Sequence, residues 1–500
     1  MVTGDPLTVD DVVDVARGQA RAELGPDVPA RMSASRQVVE DAVARGDVVY
    51  GVTTGFGALA DTSVAADDLA TMQAALLRSH AAGVGSPLPG ETVRGMLLLR
   101  ARTLAAGISG VRPDLPALLL ALLDAGALPD VPEKGSVGAS GDLAQLAHLA
   151  LPLIGEGTLG GRPAAEVLAE LGLQPVTLRP KEGLSLLNGT EPMQVLLAFS
   201  VHDAAMLVRA ADVACAMSVE SLLGTDRPYE ERVQALRPHP GQADSAANLR
   251  RLLAGSPLLA SHRDSHHAVQ DSYCLRCAPQ VHGAVRDVLA YARGVVDREL
   301  GAVVDNPVIL DGDVLTTGNF HGEPLAFAAD ALAMALAEIA SISERRVDRM
   351  LDPAFSRGLP PFLAVDAGTN SGYMLAQYTA AALVAENKVL AHPASVDTIP
   401  TSGNQEDHVS MGWHAVRKLR DVVANVRSVL AVELVVAAQA LDLRAGIAAP
   451  GAGTGAVHAR LRADVPRMDV DREVAPQLRA ADAALEDVVA VAESVTGPLA

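Results

Sequence analysis

Residues 412–445 read "GWHAVRKLRDVVANVRSVLAVELVVAAQALDLRA", with apolar positions at helical spacing for more than thirty residues. An ordinary globular helix spans three or four turns. A helix this long therefore points to a bundle, of a kind that subunits can share. Similar patterns cover roughly 193–222, 276–300, 324–350, 371–391 and 470–495. Near the N-terminus, Thr8 is placed to cap a helix carrying Val9, Val12, Val13 and Ala16, with Gly18 as its stop. "SASRQVVEDAVARG" repeats that pattern. Strand signals are few and short: "DVVYGV", "PVIL" and "DVLTTG". The expected fold is mainly α, a long-helix bundle (196–500) after a smaller mixed α/β N-terminal region (1–195).

Composition agrees with close helix packing. The 500 residues are 49% hydrophobic but only 3% aromatic, so alanine, leucine and valine build the interior. The net charge is −20 and no basic run is present, which excludes nucleic acid as a partner. No stretch of eighteen apolar residues lacks a charge, and the start "MVTGDPLTVDD" is acidic, so neither a membrane span nor a signal peptide is expected. Cys215, Cys274 and Cys277 cannot form a disulfide framework. The expected compartment is the cytoplasm.

Four breaks interrupt the helical order, at 50–60, 132–142, 315–324 and 392–412. Gly-, Asn-, His- and Glu-rich breaks between rigid helices are where chemistry concentrates. The second, "PEKGSVGASGD", admits three readings. A phosphate cradle would end in Gly-Lys-Ser/Thr at a helix start, but here Lys134 precedes the glycines and Asp142 would repel phosphate. A nucleophilic serine would sit in Gly-x-Ser-x-Gly after a strand. Around Ser140 the second glycine is misplaced, and no strand signal precedes it. The third reading is a backbone that reacts with itself. The Gly141 nitrogen attacks the Ala139 carbonyl carbon, and loss of two waters leaves a 4-methylideneimidazole-5-one (MIO), an electrophile. Small side chains are what such a ring closure needs. Taken alone, the triplet is more often a turn before a helix with Ser140 as its cap.

The surroundings shift that balance. "GSVGASGDLAQLAHLAL", together with "YGVTTGFG", "SHAAGVG", "EGLSLLNGT", "QDSYCLRCAPQVHGA", "GNFHGEP" and "HPASVDTIPTSGNQEDHVSMG", resembles the aromatic amino-acid ammonia-lyases and aminomutases along most of the chain. The resemblance implies the fumarase/aspartase-like superfold and an MIO made from Ala139, Ser140 and Gly141. It also implies a homotetramer whose sites draw on three chains. The histidine-acting branch, which turns L-histidine into trans-urocanate and ammonia, is the nearest match, with His80 in "SHAAG" and Glu406 in "NQEDHVSM". A carboxylate accepts an imidazole N–H and stabilises charge on that ring, where a phenyl ring suits an amide. Aminomutases and the tyrosine or phenylalanine lyases are the alternatives. Departures are small: Thr316 and Thr317 replace a usual Ser-Gly, Gly403 replaces a common Ala, and the motif after Thr190 diverges.

Carried over by motif, Tyr50 is the β-proton base, His80 orients the substrate ring and Arg276 pairs with the α-carboxylate. Asn188 and Tyr273 hold the substrate or support the prosthetic group. Gln270 and Asn319 are further donors, and Phe320 a pocket wall. Outside the motifs, each reads as readily as an ordinary structural residue: a half-buried tyrosine, a satisfied histidine, a structural ion pair or a loop donor. Asp142 either positions the cyclising backbone or caps the helix. "CLRC" makes a weak zinc site, and "SHRDSHH" (261–267) reads as a polar loop. With no HExxH present, no required metal is expected.

Overall fold

The computed structural model describes residues 1–265 and 269–500; His266 and His267 of the histidine-rich loop lie outside the described residues. The fold is mainly α. Among the described residues there are twenty α-helices and three two-stranded antiparallel ribbons.

The long helices fall where the periodicity places them: Glu191–Ser221, Ala278–Glu299, Glu323–Leu351, Met374–Leu390 and Gly412–Arg444. The pattern near 470–495 is two helices, Ala475–Ala483 and Leu485–Thr496, because Ala484 between them leaves helical geometry (ψ 2°). Thr8 caps Val9–Ala16, with a reciprocal Thr8–Asp11 capping box.

"PVIL" and "DVLTTG" supply a hairpin, Val308–Leu310 against Asp313–Leu315. "DVVYGV" does not form a strand. The Thr53 hydroxyl donates to the Asp47 carbonyl at 2.7 Å and accepts the Val49 N–H at 2.9 Å, which closes a turn in place of a ladder. A three-residue strand, Pro132–Lys134, does precede Ser140; it pairs with Val84–Pro87 and ends well before the triplet.

The chain divides into two compact units. The first comprises Met1–His202, Arg293–Asp330 and Pro393–Arg417, and the second Asp203–Ala292, Ala331–His392 and Lys418–Ala500. In the first, the Gly90–Ala105 helix is buried over most of its length and packs on Val9–Ala16 and Asp114–Ala125. Its fully buried Arg100 donates to the Ser185 and Asn188 carbonyls and pairs with buried Glu191. That bracket fixes the turn at 188–191.

The second unit is an apolar helical core laced with paired charges. Asp212 accepts from His282 at 2.7 Å, Arg286 at 2.6 Å, Ser245 at 2.6 Å and Asn248 at 2.8 Å. Burial alone would raise this carboxyl, but Arg286 and His282 hold it at about 2. Glu433 similarly binds Arg346, Ser218 and Ser343. Glu191–Ser221 and Glu323–Leu351 are long and apolar enough to cross a bilayer on length and composition alone. In each, 72% and 61% of the apolar window is buried inside the protein, as in the core helices of a folded domain.

Candidate active site

The 135–142 loop gathers its shape from three directions. Ser140 (φ 51°) and Gly141 (φ 79°) are consecutive left-handed residues, so the chain folds sharply back at the triplet. The Asp142 N–H donates to the Gly189 carbonyl at 2.9 Å, and a Cβ on Gly141 would lie 1.9 Å from that same oxygen. Only glycine fits there. On the other side the Met411 N–H donates to the Val137 carbonyl at 3.0 Å, and Gly138 leaves no room for a Cβ beside Ser410.

Asp142 does not cap the helix it precedes, Leu143–Ala150. Its carboxylate accepts the Ser136 hydroxyl at 2.7 Å and the Met193 N–H at 3.1 Å, the latter in the first turn of Glu191–Ser221. The Ser136 hydroxyl oxygen also accepts the Gly138 N–H at 3.0 Å, which closes the loop on itself. Complete burial raises the Asp142 carboxyl to about 7 against these donors.

Ala139 and Ser140 line a cavity of about 380 Å³ with Tyr50, Asn306, Phe320, His321, Glu406 and His408. The Tyr50 hydroxyl accepts the Gly57 N–H at 3.3 Å. Burial raises its phenol above the ordinary value and the Glu406 charge adds to the rise, while the Gly57 N–H opposes both. Within one chain the surroundings therefore favour the neutral phenol, against the assisted ionisation that a base needs.

Glu406 is set by a turn in which Ser402 (φ 51°), Gly403 (φ 62°) and Asn404 (φ 69°) are all left-handed. The Thr401 N–H closes that turn on the Glu406 carbonyl at 3.0 Å. Gly403, a departure from the family pattern, takes the middle position at no steric cost. The Ser402 hydroxyl accepts the Ala58 N–H at 3.1 Å, tying this turn to the segment after Tyr50. The Glu406 Oε2 atom is buried and has no hydrogen-bond partner among the described residues.

His80 ends the Leu69–His80 helix, and its Nδ1 donates to the Leu76 carbonyl at 3.0 Å. That leaves Nε2 as the acceptor. Burial lowers its pKa, opposed by the Leu76 carbonyl and by Glu406. Asn188 donates to the Asn306 carbonyl at 2.9 Å, and its buried Oδ1 lacks a partner among the described residues.

The remaining expected residues separate. Phe320 lines the cavity, while Asn319 is exposed and its amide donates to the Val303 carbonyl at 3.2 Å. Gln270, Tyr273 and Arg276 belong to the second unit and are not among the lining residues. There Tyr273 is 71% exposed with the Arg276 guanidinium 4.5 Å from its ring centre. Asn306, His321 and His408 also line the cavity, although no sequence signal marks them as site residues. His321 stands in "GNFHGEP" and His408 in "NQEDHVSM", yet no spacing in sequence relates them.

The aromatic amino acid lyase family model matches residues 7–463. The chain belongs to the aromatic amino acid lyase family. Relatives within it include the histidine ammonia-lyase of Streptomyces avermitilis, 50% identical over 99% of this chain and 98% of the relative. That of Deinococcus radiodurans is 53% identical over 96% and 92%. Among solved structures, histidine ammonia-lyase from Trypanosoma cruzi superposes with a TM-score of 0.91 at 40% identity, over 99% of this chain and 95% of that one. Tyrosine aminomutase from Streptomyces globisporus gives 0.92 at 38%, over 99% and 98%. A protein named as an ammonia-lyase and one named as an aminomutase thus share this fold.

Proposed function

We propose that this chain is a histidine ammonia-lyase that converts L-histidine to trans-urocanate and ammonia. The observation that carries the reading is Glu406. It lines the same cavity as Ser140, one carboxylate oxygen lacks a partner among the described residues, and its charge acts on both Tyr50 and His80. Such an oxygen accepts an imidazole N–H in a charge-assisted bond. The His80 Nε2 offers a second acceptor for the same ring.

The triplet fits a 4-methylideneimidazole-5-one. Two left-handed residues in succession, a methyl and a hydroxymethyl side chain, and a glycine that admits no Cβ support that reading, since a tight turn of small residues lets the ring close without clashes. Once formed, that group supplies the electrophile that makes the amine a better leaving group. This chain's residues do the rest. Tyr50 removes the β-proton, Glu406 and His80 orient the ring, Phe320 walls the cavity and the Asn188 Oδ1 accepts from the substrate amine or supports the prosthetic group.

A homotetramer belongs to the same proposal. The exposed Tyr273 and the half-buried Arg276, whose guanidinium lies over the Tyr273 ring, are suited to serve a cavity on another chain, with Arg276 on the α-carboxylate and Gln270 a further donor. A cytoplasmic location completes it.

The test is incubation with L-histidine, L-tyrosine and L-phenylalanine separately, with ammonia, unsaturated acid and β-amino acid quantified. Urocanate and ammonia from histidine alone is the expected result. A β-amino product would replace the reading with an aminomutase. Silence on all three, with no two-water mass deficit, would overturn it.

A further inference from the structure

We propose that His321, Glu323 and His408 form a site for a zinc-class divalent cation in the wall of the cavity. The proposal does not rest on the histidine reading, since it concerns side chains given no part in that chemistry.

The geometry starts from His321. Its Nε2 lies 3.2 Å from the His408 carbonyl oxygen, which can only accept, so Nε2 carries the proton. Its Nδ1 meets the Glu323 N–H only in a long contact, 3.4 Å between the two nitrogens, which a cation bound at Nδ1 would replace. The Nδ1 lone pair is therefore the basic face of the ring, and the Glu323 Oε2 stands 4.0 Å from it. Two electron-pair donors face each other with no proton of their own between them. The His408 ring lies nearly parallel to that of His321, 8° apart with centres at 5.8 Å. One ligand atom from each of the three residues falls within 4.8 Å of the others.

This pattern belongs to a metal centre. Imidazole and carboxylate donors bind zinc at about 2.0–2.2 Å, so ligand atoms in a closed tetrahedron stand roughly 3.4 Å apart. The present spread contracts to that by side-chain rotation, and His408 is exposed. A metal-bound histidine characteristically donates its other ring N–H to a carbonyl or carboxylate, as Nε2 of His321 does. Two imidazoles and a carboxylate select zinc or cobalt over calcium or magnesium, whose ligands are oxygens. Three protein ligands leave a fourth position open. Because His321 and His408 line the cavity with Ser140, that position is available to water or to an imidazole within it.

The test is binding, independent of catalysis. The full chain in its native assembly, stripped with chelator and with thiols reduced, is titrated with zinc and separately with cobalt(II). The expected result is one ion per chain, with a cobalt spectrum that lacks thiolate charge transfer. His408→Ala and Glu323→Gln each weaken binding at least about tenfold, while thermal unfolding reports whether the variants are folded. His408 is exposed, so its variant keeps the test decisive even where Glu323→Gln unfolds. No binding up to millimolar zinc, unchanged affinity in folded His408→Ala, or a thiolate band placing the ion on the cysteines would each overturn the proposal.

Discussion

The Gly189 carbonyl oxygen occupies the space beside Gly141 that a side chain would need, 1.9 Å from a Cβ built there, and it is already held by the Asp142 N–H. Gly141→Ala must therefore push the loop off Gly189 or abandon the left-handed turn. Either change separates the atoms that cyclise. The variant is expected to keep its full mass, lacking the two-water deficit, and to lose activity. Intact-protein mass spectrometry checks this, and a retained deficit would refute it. Ser140→Ala, which removes the hydroxyl that must leave, is expected to nearly abolish activity and to lack the two-water deficit.

Glu406→Gln replaces a charged acceptor by a neutral one. A hydrogen bond to a charged group contributes about 1.5–3 kcal/mol, so kcat/KM for histidine should fall roughly 10- to 100-fold. The same variant moves a proton equilibrium. The Glu406 charge helps to hold the Tyr50 phenol above its usual value, so removing it favours the phenolate. The ascending limb of the kcat/KM profile, which rises as the base ionises, should shift to lower pH. An unmoved limb would exclude Tyr50 as the ionising group or Glu406 as its neighbour.

Asp142 should leave a mark on stability. Its carboxyl is raised from 3.8 to about 7 by burial, so the folded chain keeps a proton that the unfolded chain releases. Its contribution is fully present below the unfolded value and is lost as pH rises through the folded one. A shift of this size corresponds to roughly 4 kcal/mol lost across that window. The difference in unfolding free energy between wild type and Asp142→Asn, measured by denaturant titration, should change across that pH range. A constant difference would mean that folding does not raise the Asp142 carboxyl.

Subunit sharing predicts rescue. Ser140→Ala lacks the electrophile and Arg276→Ala lacks the carboxylate partner, and each alone should be nearly inactive. Co-expressed or refolded together, they should recover a fraction of wild-type activity, because some mixed sites carry both intact residues. No recovery in a confirmed mixed oligomer would put Arg276 and Ser140 of one chain at one site.

Much of the fold is legible because helix burial writes a period into the chain. Thr8, Gly18 and the length of Gly412–Arg444 are local facts, and the structure repeats them. The turn at 47–53 is misread as strand because valines advertise β-structure, whereas the Thr53 hydroxyl wins the backbone groups that a ladder would use. At the cavity, Tyr50, Ser140, Phe320 and Glu406 are legible through their motifs. The relation of His321 to His408 is not, since it arises from two breaks 87 residues apart that meet only in the folded unit.

The contact between Asp142 and the Met193 N–H has a temporal side. Donor and acceptor are 51 residues apart, and Gly189, which presses on Gly141, lies just before Met193. A growing chain therefore displays Ala139-Ser140-Gly141 well before it possesses the parts that compress them, and synthesis proceeds from the N-terminal side. On the proposed chemistry, ripening of the triplet waits for the far partner to arrive. The missing mass of two waters then becomes a date stamp: a molecule that carries it has, at least once, brought residues 136–142 and 189–193 together.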